Sequence, residues 1–583
     1  MKKLLVLLMT AVILCSCSSK EPTKTGVSGE FTGTAPGRNG DITVAVTLEN
    51  GELKNVAVTE HTETYGCGYG MDTCPIEALP AEMVANQTVN VDSVAGATLT
   101  SAGVKNAVKA ALDEAGVTDG FRAAVSPKEV KSEYDVDVVV VGGGAAGLSA
   151  AIEAKDNGAN VLLIEKEGIT GGSTTVSGGK VLGAGTKIQA EQNITDSADD
   201  LYKYMTSLGN EYDEEVMRKF CDESASAIDF LVDNGWEYGE VERTHASIET
   251  WRVHNSKGGY WMISGNGGPI TVGLTKSAVN KGVEILYNTA GYELITDGDK
   301  VVGVKAKNGE TEITINAKAV ILATGGFTHD SERMSKAQTD AGLDVCVITT
   351  AGVGATGDGI KMARAVGAET SYAPGASYTY VSFTCGAGIY EEAGLILSAD
   401  GRRVCNEYAY QYDWTSHLVD NKSSYAWYVT DKDDPNQLVQ YGMTLDSTIK
   451  ADTVEELAAA MGVDEATLKE TIETYNGYCR KGVDEEFGKP AQFLNELTDT
   501  LYAIRWDRSM SFTFGGIKTN AESEVLKTDG TVIPGLYAAG ETAFYSLLGT
   551  DPTISYPSCG TAIVDGVIFG RTAGANAAAL AKN

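Results

Sequence analysis

Histidine is scarce in this chain: His61, His245, His254, His329 and His417 are the only five among 583 residues. No Cys-x-x-Cys-His occurs, which excludes a c-type haem attached to the chain itself. The ten cysteines are scattered and form no metal-binding spacing. Basic residues are outnumbered, Lys+Arg 46 against Asp+Glu 79, for a net charge of −33. That balance argues against nucleic acid as a partner and against an anionic ligand drawn in by the overall field. Long apolar runs are also missing. Leu4–Leu14 is apolar but too short to span a bilayer, and no other stretch approaches the roughly 18 residues required. Glycine, in contrast, is abundant at 67 residues, too many for a helical bundle and suited to a Gly-rich α/β protein. The length predicts two or three domains with ample core.

The N-terminus reads as an export signal. Met1-Lys2-Lys3 is a positive n-region ahead of the short apolar segment. Leu14-Cys15-Ser16-Cys17 resembles a bacterial lipobox, and the resemblance implies cleavage before Cys17 and a lipid anchor on it. The expected organisation is a signal peptide over 1–17, a tether over 18–26 and a lipoprotein on the extracytoplasmic face of the membrane. A plain secretory signal is the alternative.

Residues 27–118 alternate apolar and polar positions in strands such as Ile42–Leu48 and Leu53–Thr59, then close with an Ala-rich helix over Ser101–Ala115. Just before that helix stands Asp92-Ser-Val-Ala95-Gly96-Ala97-Thr98-Leu-Thr100-Ser101. This run resembles the acceptor motif of FMN-binding domains, in which a flavin transferase links FMN through its phosphate to a threonine. Ala95 departs from the hydroxyl residue usual there. The resemblance implies a small α+β FMN-binding domain with covalent FMN on Thr98, with Thr100 as the other possibility. Cys67 and Cys74, in a Gly-rich loop, are either a disulfide or two free thiols. The polar stretch 119–133 is expected as a linker, able to reach about 50 Å when extended.

At Tyr134 the character changes. The strand Asp135–Val141 runs into Gly142-Gly143-Gly144-Ala145-Ala146-Gly147, then a helix over Leu148–Asn157 and a second strand over Asn160–Ile164 that ends at Glu165-Lys166. This is the dinucleotide fingerprint in its strand–turn–helix–strand context. Gly142 serves the tight turn, Gly144 the approach to pyrophosphate, Gly147 the packing of helix on strand, and Glu165 the ribose. The pyrophosphate would lie on the helix N-terminus. Gly171-Gly172-Ser173-Thr174, Ser177-Gly178-Gly179, Thr324-Gly325-Gly326, Thr356-Gly357-Asp358-Gly359 and Gly540-Glu541 follow in order. Together they resemble the fumarate reductase, urocanate reductase and 3-ketosteroid dehydrogenase superfamily. The resemblance implies non-covalent FAD held by Gly142, Gly144, Ala146, Gly147, Glu165, Lys166, Gly172, Ser173, Thr174, Gly178, Gly179, Thr324, Gly325, Asp358, Gly540, Glu541, Ala562 and Ile563. It implies a Rossmann-like FAD-binding α/β domain over 134–374 and 506–583, interrupted by an α+β capping domain over 375–505, with no metal.

The substrate-binding signatures of the fumarate-type members are missing. Their acid arginine falls on Gln411, counted from Asn406-Glu407, and a family histidine falls on Thr379. A second family histidine is replaced within Arg508-Ser-Met-Ser511-Phe512-Thr513. None of the five histidines stands at a family catalytic position, so surface or structural roles are expected for them. The C-terminal arginine has given way to Ser555-Tyr556-Pro557-Ser558-Cys559-Gly560, with Phe569-Gly570 thirteen residues after Tyr556. That spacing resembles the ketosteroid dehydrogenases, whose tyrosine O–H and glycine N–H bind a ketone oxygen as an oxyanion hole does. The expectation is an ene-reductase of a neutral, bulky enone such as a 3-oxo-Δ4-steroid. Tyr556 and Gly560 would hold the carbonyl, and Tyr378 or Tyr380 would deliver the proton. Electrons would come from a membrane donor, flavin- or quinol-linked, through FMN to FAD. Two alternatives stand beside it: a reductase of an unsaturated carboxylate that recruits Arg252, Arg402 or Arg505, and an electron-transfer module with no small substrate. A dehydrogenase running oxidatively would use the same residues.

Overall fold

The computed structural model describes residues 26–38, 40–63, 75–94, 97–123, 130–209, 211–245, 248–257, 266–340, 342–346, 349–382, 386–387, 394–409, 411–434, 443–498, 500–549 and 556–582. The expected signal, tether, lipobox Cys17, the Cys67/Cys74 pair, Ala95-Gly96 and Ser555 lie outside them. The chain forms two compact units, residues 1–128 and 129–583.

In the first unit an antiparallel sheet of β1 (Gly29–Pro36), β2 (Asp41–Glu49) and β3 (Glu52–Glu60) has the order β1-β2-β3. Along β2, alternate residues Ile42, Val44, Val46 and Leu48 are buried, as a sheet covered on one face requires. Two helices complete the unit, α1 (Pro75–Asn86) and α2 (Thr98–Glu114). Val104, Ala107, Val108, Ala111 and Leu112 recur at helical spacing on α2 and enter the same core. The helix starts three residues before the expected Ser101, so Thr98 is its first residue. Phe121, inside the stretch expected as linker, is also buried in this core, and Thr88 Oγ1 donates to the Ala123 carbonyl at 2.6 Å.

The second unit is built on a mixed sheet. Its path begins with β4 (Glu133–Val141), which is followed by α3 (Ala145–Asp156) and then β5 (Val161–Ile164). A separate small sheet follows, made of β6 (Val181–Leu182), β7 (Tyr238–His245) and β8 (Ile248–Ser256) in the order β6-β8-β7. The main sheet resumes with β9 (Glu284–Leu286), β10 (Thr289–Asp297), β11 (Lys300–Asn308) and β12 (Thr311–Leu322). Its order is β10-β11-β12-β4-β5-β9, with β12, β4, β5 and β9 parallel. The unbroken valine run of β4 follows from burial on both faces: Val138 and Val140 enter one core cluster, Val139 and Val141 the other.

A third sheet contains β13 (Thr370–Ser382), β14 (Gly386–Ala387), β15 (Leu395–Ser398), β16 (Tyr425–Asp431), β17 (Ile449–Ala451) and the long β18 (Leu501–Ile517). β18 pairs with β13, β16 and β17. Both β13 and β18 run straight through the boundaries expected for a cap, at 375 and 505. Two strands then return to the main sheet, β19 (Glu524–Leu526) and β20 (Val532–Ala538), the latter parallel to β12. The C-terminal helix Thr561–Lys582 lies against α3. Its Gly570 and Gly574 make that contact close, since a Cβ at either would stand 2.3 Å from the carbonyl oxygen of Ala146 or Ala150.

Beside β15, whose Leu397 forms a bridge with Arg403, sits a buried ionic cluster. Arg403 donates to both oxygens of Glu407 at 2.9 and 2.8 Å and to Asp484 at 2.8 Å, between the rings of Tyr475 and Phe487. Lys489, also buried, donates to the Gly394 carbonyl at 2.8 Å. Burial alone would raise both carboxyls, but the cations overcome it: Glu407 is held below its ordinary range, and Asp484 is brought down to about 2. This cluster ties the strand end at 394 to the helix Glu465–Lys481 and the turn after it, and so braces the third sheet.

Candidate functional site

A single pocket of the second unit is lined from most of the motifs of that unit. The turn between β4 and α3 forms its floor. Gly142 has φ +107°, and a Cβ there would stand 2.3 Å from the Ala323 carbonyl oxygen. Gly147 does not line the pocket. It packs α3 onto the turn, where a Cβ would come within 1.9 Å of the Gly142 carbonyl oxygen. At the N-terminus of α3, Gly144 brings no side-chain cap, and Ala145 and Ala146 face the pocket. The Ala145 N–H donates to Thr174 Oγ1 at 3.3 Å, and the remaining first-turn N–H groups and the helix dipole favour an anion.

Glu165, at the end of β5, accepts from the Gly143 N–H at 2.7 Å and the Glu167 N–H at 2.8 Å. Burial pushes its carboxyl up, against the pull of those donors. Two carboxylate oxygens have capacity for further donors. Lys166 Nζ bridges Thr356 Oγ1 at 2.6 Å and Asp358 Oδ2 at 2.9 Å. Burial would raise Asp358, but the Thr356 hydroxyl and Lys166 outweigh it and hold the carboxyl low. Ser173 Oγ accepts from the Gly352 N–H at 3.0 Å, and Thr324 Oγ1 from the Gly359 N–H at 3.2 Å. Gly172, Thr174, Gly178, Gly179, Gly325, Gly540, Ala562 and Ile563 line the same pocket. The glycine turn, the helix start and the acid at the strand end fit a dinucleotide.

Glu541 is half-buried and lines the same pocket. It accepts from Thr513 N at 2.8 Å and Thr513 Oγ1 at 3.0 Å, and burial pushes its carboxyl up to about 6. A raised acid favours the protonated native state, so its stabilisation is full below the unfolded value of 4.5 and is lost as pH climbs through 6. Glu541→Gln removes this dependence. Urea unfolding at pH 5 and pH 7.5 should show the stability difference between variant and wild type move by about 1 kcal/mol in favour of the variant at the higher pH.

Tyr556 and Gly560 border the same space. The Tyr556 phenol oxygen accepts the Ala562 N–H at 2.7 Å, and its ring lies 4.4 Å from that of Phe512. Gly560 has φ +91°, and a Cβ there would stand 2.6 Å from Leu182 N. Tyr378 and Tyr380 are on β13, their backbones paired with Met510 and Arg508; their side chains, like that of Gln411, lie outside what is described. Sequence reasoning missed Trp414, Phe512, Lys180 and the Thr350–Gly352 segment as lining residues. Phe512 had been met only as part of a lost histidine motif. Trp414, on the helix Gln411–Asp420, carried no signal at all.

The three arginines weighed as carboxylate clamps are held elsewhere. Arg252 is buried and bidentate to Asp196, at 2.6 and 2.7 Å. Arg402 and Arg505 are exposed and paired with Asp400 and Asp507. The cations among the described lining residues are Lys166, paired as above, and Lys180, 2.6 Å from Glu242. His254 is buried between strands, bonded to Thr186 at 2.9 Å, and burial lowers it to about 4, a structural setting. No group of three or more metal-binding side chains occurs among the described residues.

In the first unit the two threonines differ sharply. Thr98 is exposed at the start of α2, where Ala97 supplies no side-chain cap. Thr100 is buried and donates to Glu63.

The chain matches the FAD binding domain family over residues 137–562 and the FMN-binding domain family over residues 37–113. It is 33% identical to the urocanate reductase of Eggerthella lenta, over 97% of this chain and 96% of that protein. Among solved structures, a flavocytochrome c3 fumarate reductase in its open conformation shares 27% identity with a TM-score of 0.63, over 80% of this chain and 84% of that one. The 3-ketosteroid-Δ4-(5α)-dehydrogenase of Rhodococcus jostii RHA1, solved with 4-androstene-3,17-dione, shares 28% with a TM-score of 0.63, over 78% and 99%.

Proposed function

From the premise that this chain belongs to the FAD-binding family of fumarate and urocanate reductases, flavin-dependent oxidoreductases that act on C=C bonds, we propose that it reduces an alkene conjugated to a ketone in a neutral, bulky substrate. That membership removes the reading as a carrier module with no small substrate. FAD would be held by the Gly142–Ala146 turn, Glu165, Lys166, Ser173, Thr324 and Glu541, and when bound it supplies the electron pair, as hydride to the β-carbon. The Tyr556 hydroxyl and the Gly560 N–H hold the ketone oxygen and stabilise the charge that gathers there as the enolate forms. A proton added at the α-carbon, from Tyr378 or Tyr380, completes the reduction.

One observation carries the choice of a neutral substrate: every arginine weighed as a clamp is engaged with an acid of its own, while Trp414, Phe512 and Tyr556 line the pocket. A dicarboxylate needs bidentate arginine partners. The second reading, an unsaturated carboxylate, is favoured by the 33% identity to a urocanate reductase. FMN on Thr98, added by a flavin transferase, would pass electrons from a membrane donor to FAD, on a protein anchored through Cys17 outside the cytoplasm.

To test this, the flavin-loaded chain is reduced chemically without oxygen and flavin reoxidation is followed with fumarate, urocanate, cinnamate and a 3-oxo-Δ4-steroid. Fast reoxidation by the neutral enone alone is expected. Reoxidation by a carboxylate in its place would overturn the neutral-substrate reading and establish the second.

A further inference from the structure

Tyr556 stands at the start of a short segment whose backbone is strapped to the rest of the unit from behind. Tyr204, on the helix Ala198–Ser207, donates its hydroxyl to the carbonyl oxygen of Pro557, the residue next to Tyr556. Ser558 is fully buried, and its hydroxyl donates to the Thr244 carbonyl on β7 at 3.1 Å. The Gly560 carbonyl accepts from Leu182 N on β6 at 3.4 Å. Three bonds from three elements therefore fix consecutive parts of the segment, and the Ala562 N–H fixes the Tyr556 phenol itself.

Tyr204 is itself set in place. The Arg252 guanidinium lies 5.7 Å from its ring centroid, and that guanidinium is locked by its bidentate pair with Asp196. Arg252, one of the three arginines read from sequence as possible substrate clamps, thus backs the segment that carries Tyr556. A proline at 557 has no N–H of its own to donate, so its carbonyl is the one backbone polar group by which that residue can be anchored.

We propose that Tyr204 is a positioning residue for Tyr556: its bond to the Pro557 carbonyl sets where the phenol hydroxyl meets the substrate carbonyl. The proposal rests on the reading of Tyr556 as the carbonyl donor. An oxyanion donor works only where it meets the oxygen in its transition-state position, and misplacement by about 1 Å can cost about 100-fold in rate. Tyr204 is not among the residues that line the pocket, so on this proposal it acts through the segment that carries Tyr556.

The test is a double-mutant cycle on the full flavin-loaded chain, read as the rate of flavin reoxidation by a 3-oxo-Δ4-steroid after chemical reduction. Tyr204→Phe is expected to lower the limiting rate about 10-fold, with half-saturation and bound FAD little changed, the pattern of an interaction realised in the transition state. In a Tyr556→Phe background the same change is expected to cost nothing further. Ser558→Ala, which cuts the neighbouring strap, should show the same dependence on Tyr556 and serves if Tyr204→Phe fails to retain FAD. A silent Tyr204→Phe, or an equal loss in both backgrounds, overturns the positioning role while leaving Tyr556 as donor. Wild-type rates in Tyr556→Phe alone overturn the donor reading, and this proposal with it.

Discussion

Thr98→Val is expected to abolish covalent FMN, while Thr100→Val keeps it. Matured with a flavin transferase and run on a denaturing gel, wild type and Thr100→Val should fluoresce and Thr98→Val should be dark; intact mass should show the same pattern. The argument is accessibility. A transferase must bring a flavin phosphate to a threonine hydroxyl, and Thr98 is exposed on the first turn of α2. Thr100, two residues on, is buried with its hydroxyl engaged by Glu63. Reaching it would mean opening the start of the helix. The phosphate would then sit at a helix N-terminus whose first-turn N–H groups lack a side-chain cap, a setting that favours an anion. Next to it, Leu99 is an apolar side chain that is 61% exposed. A Thr98→Val chain reduced chemically should still react with its acceptor through FAD, so the loss is confined to electron supply. A fluorescent Thr98→Val band would overturn the assignment.

The parts of this protein legible in sequence were those governed by local rules. β4, α3 and β5 could be read from a valine run, a glycine turn and an acid at fixed spacing, because the turn, the helix start and the strand end impose residue types directly on the chain. The β2 and β3 strands were legible for the same reason, since alternation follows from one covered face. What was missed depends on contacts far apart in sequence. Trp414 lines the pocket through a helix whose pattern says nothing of the pocket. Arg252 looked like a ligand-binding cation, and only the pairing with Asp196, 56 residues away, shows it to be engaged. The burial of Phe121 in a stretch expected as linker is another case: a polar neighbourhood concealed one apolar residue with a place in the first core. The third sheet crossed the expected cap boundaries because β13 and β18 are single long strands, and strand length is set by the partner as much as by the segment itself.

Tyr556→Phe should lower the limiting rate of enone reduction by about 100- to 1,000-fold, the usual cost of deleting one oxyanion-hole donor. The variant changes one oxygen, and the ring keeps its place against Phe512. Two effects then have to be separated. The Ala562 N–H loses the phenol oxygen as acceptor, and because this donor is only part-buried the cost in stability is at most about 1 kcal/mol. That cost falls on the folded chain in every state and leaves FAD bound. The loss of the O–H acts only where charge develops on the substrate oxygen. The rate with an enone should therefore collapse while half-saturation changes little and the flavin spectrum persists. Activity should not fall to zero, because the Gly560 N–H, at the start of the C-terminal helix, remains as a second donor with the helix dipole behind it. The residual rate thus measures what the helix start contributes alone. If the enone rate is unchanged in Tyr556→Phe, the phenol carries no charge in the transition state and the carbonyl must be held elsewhere.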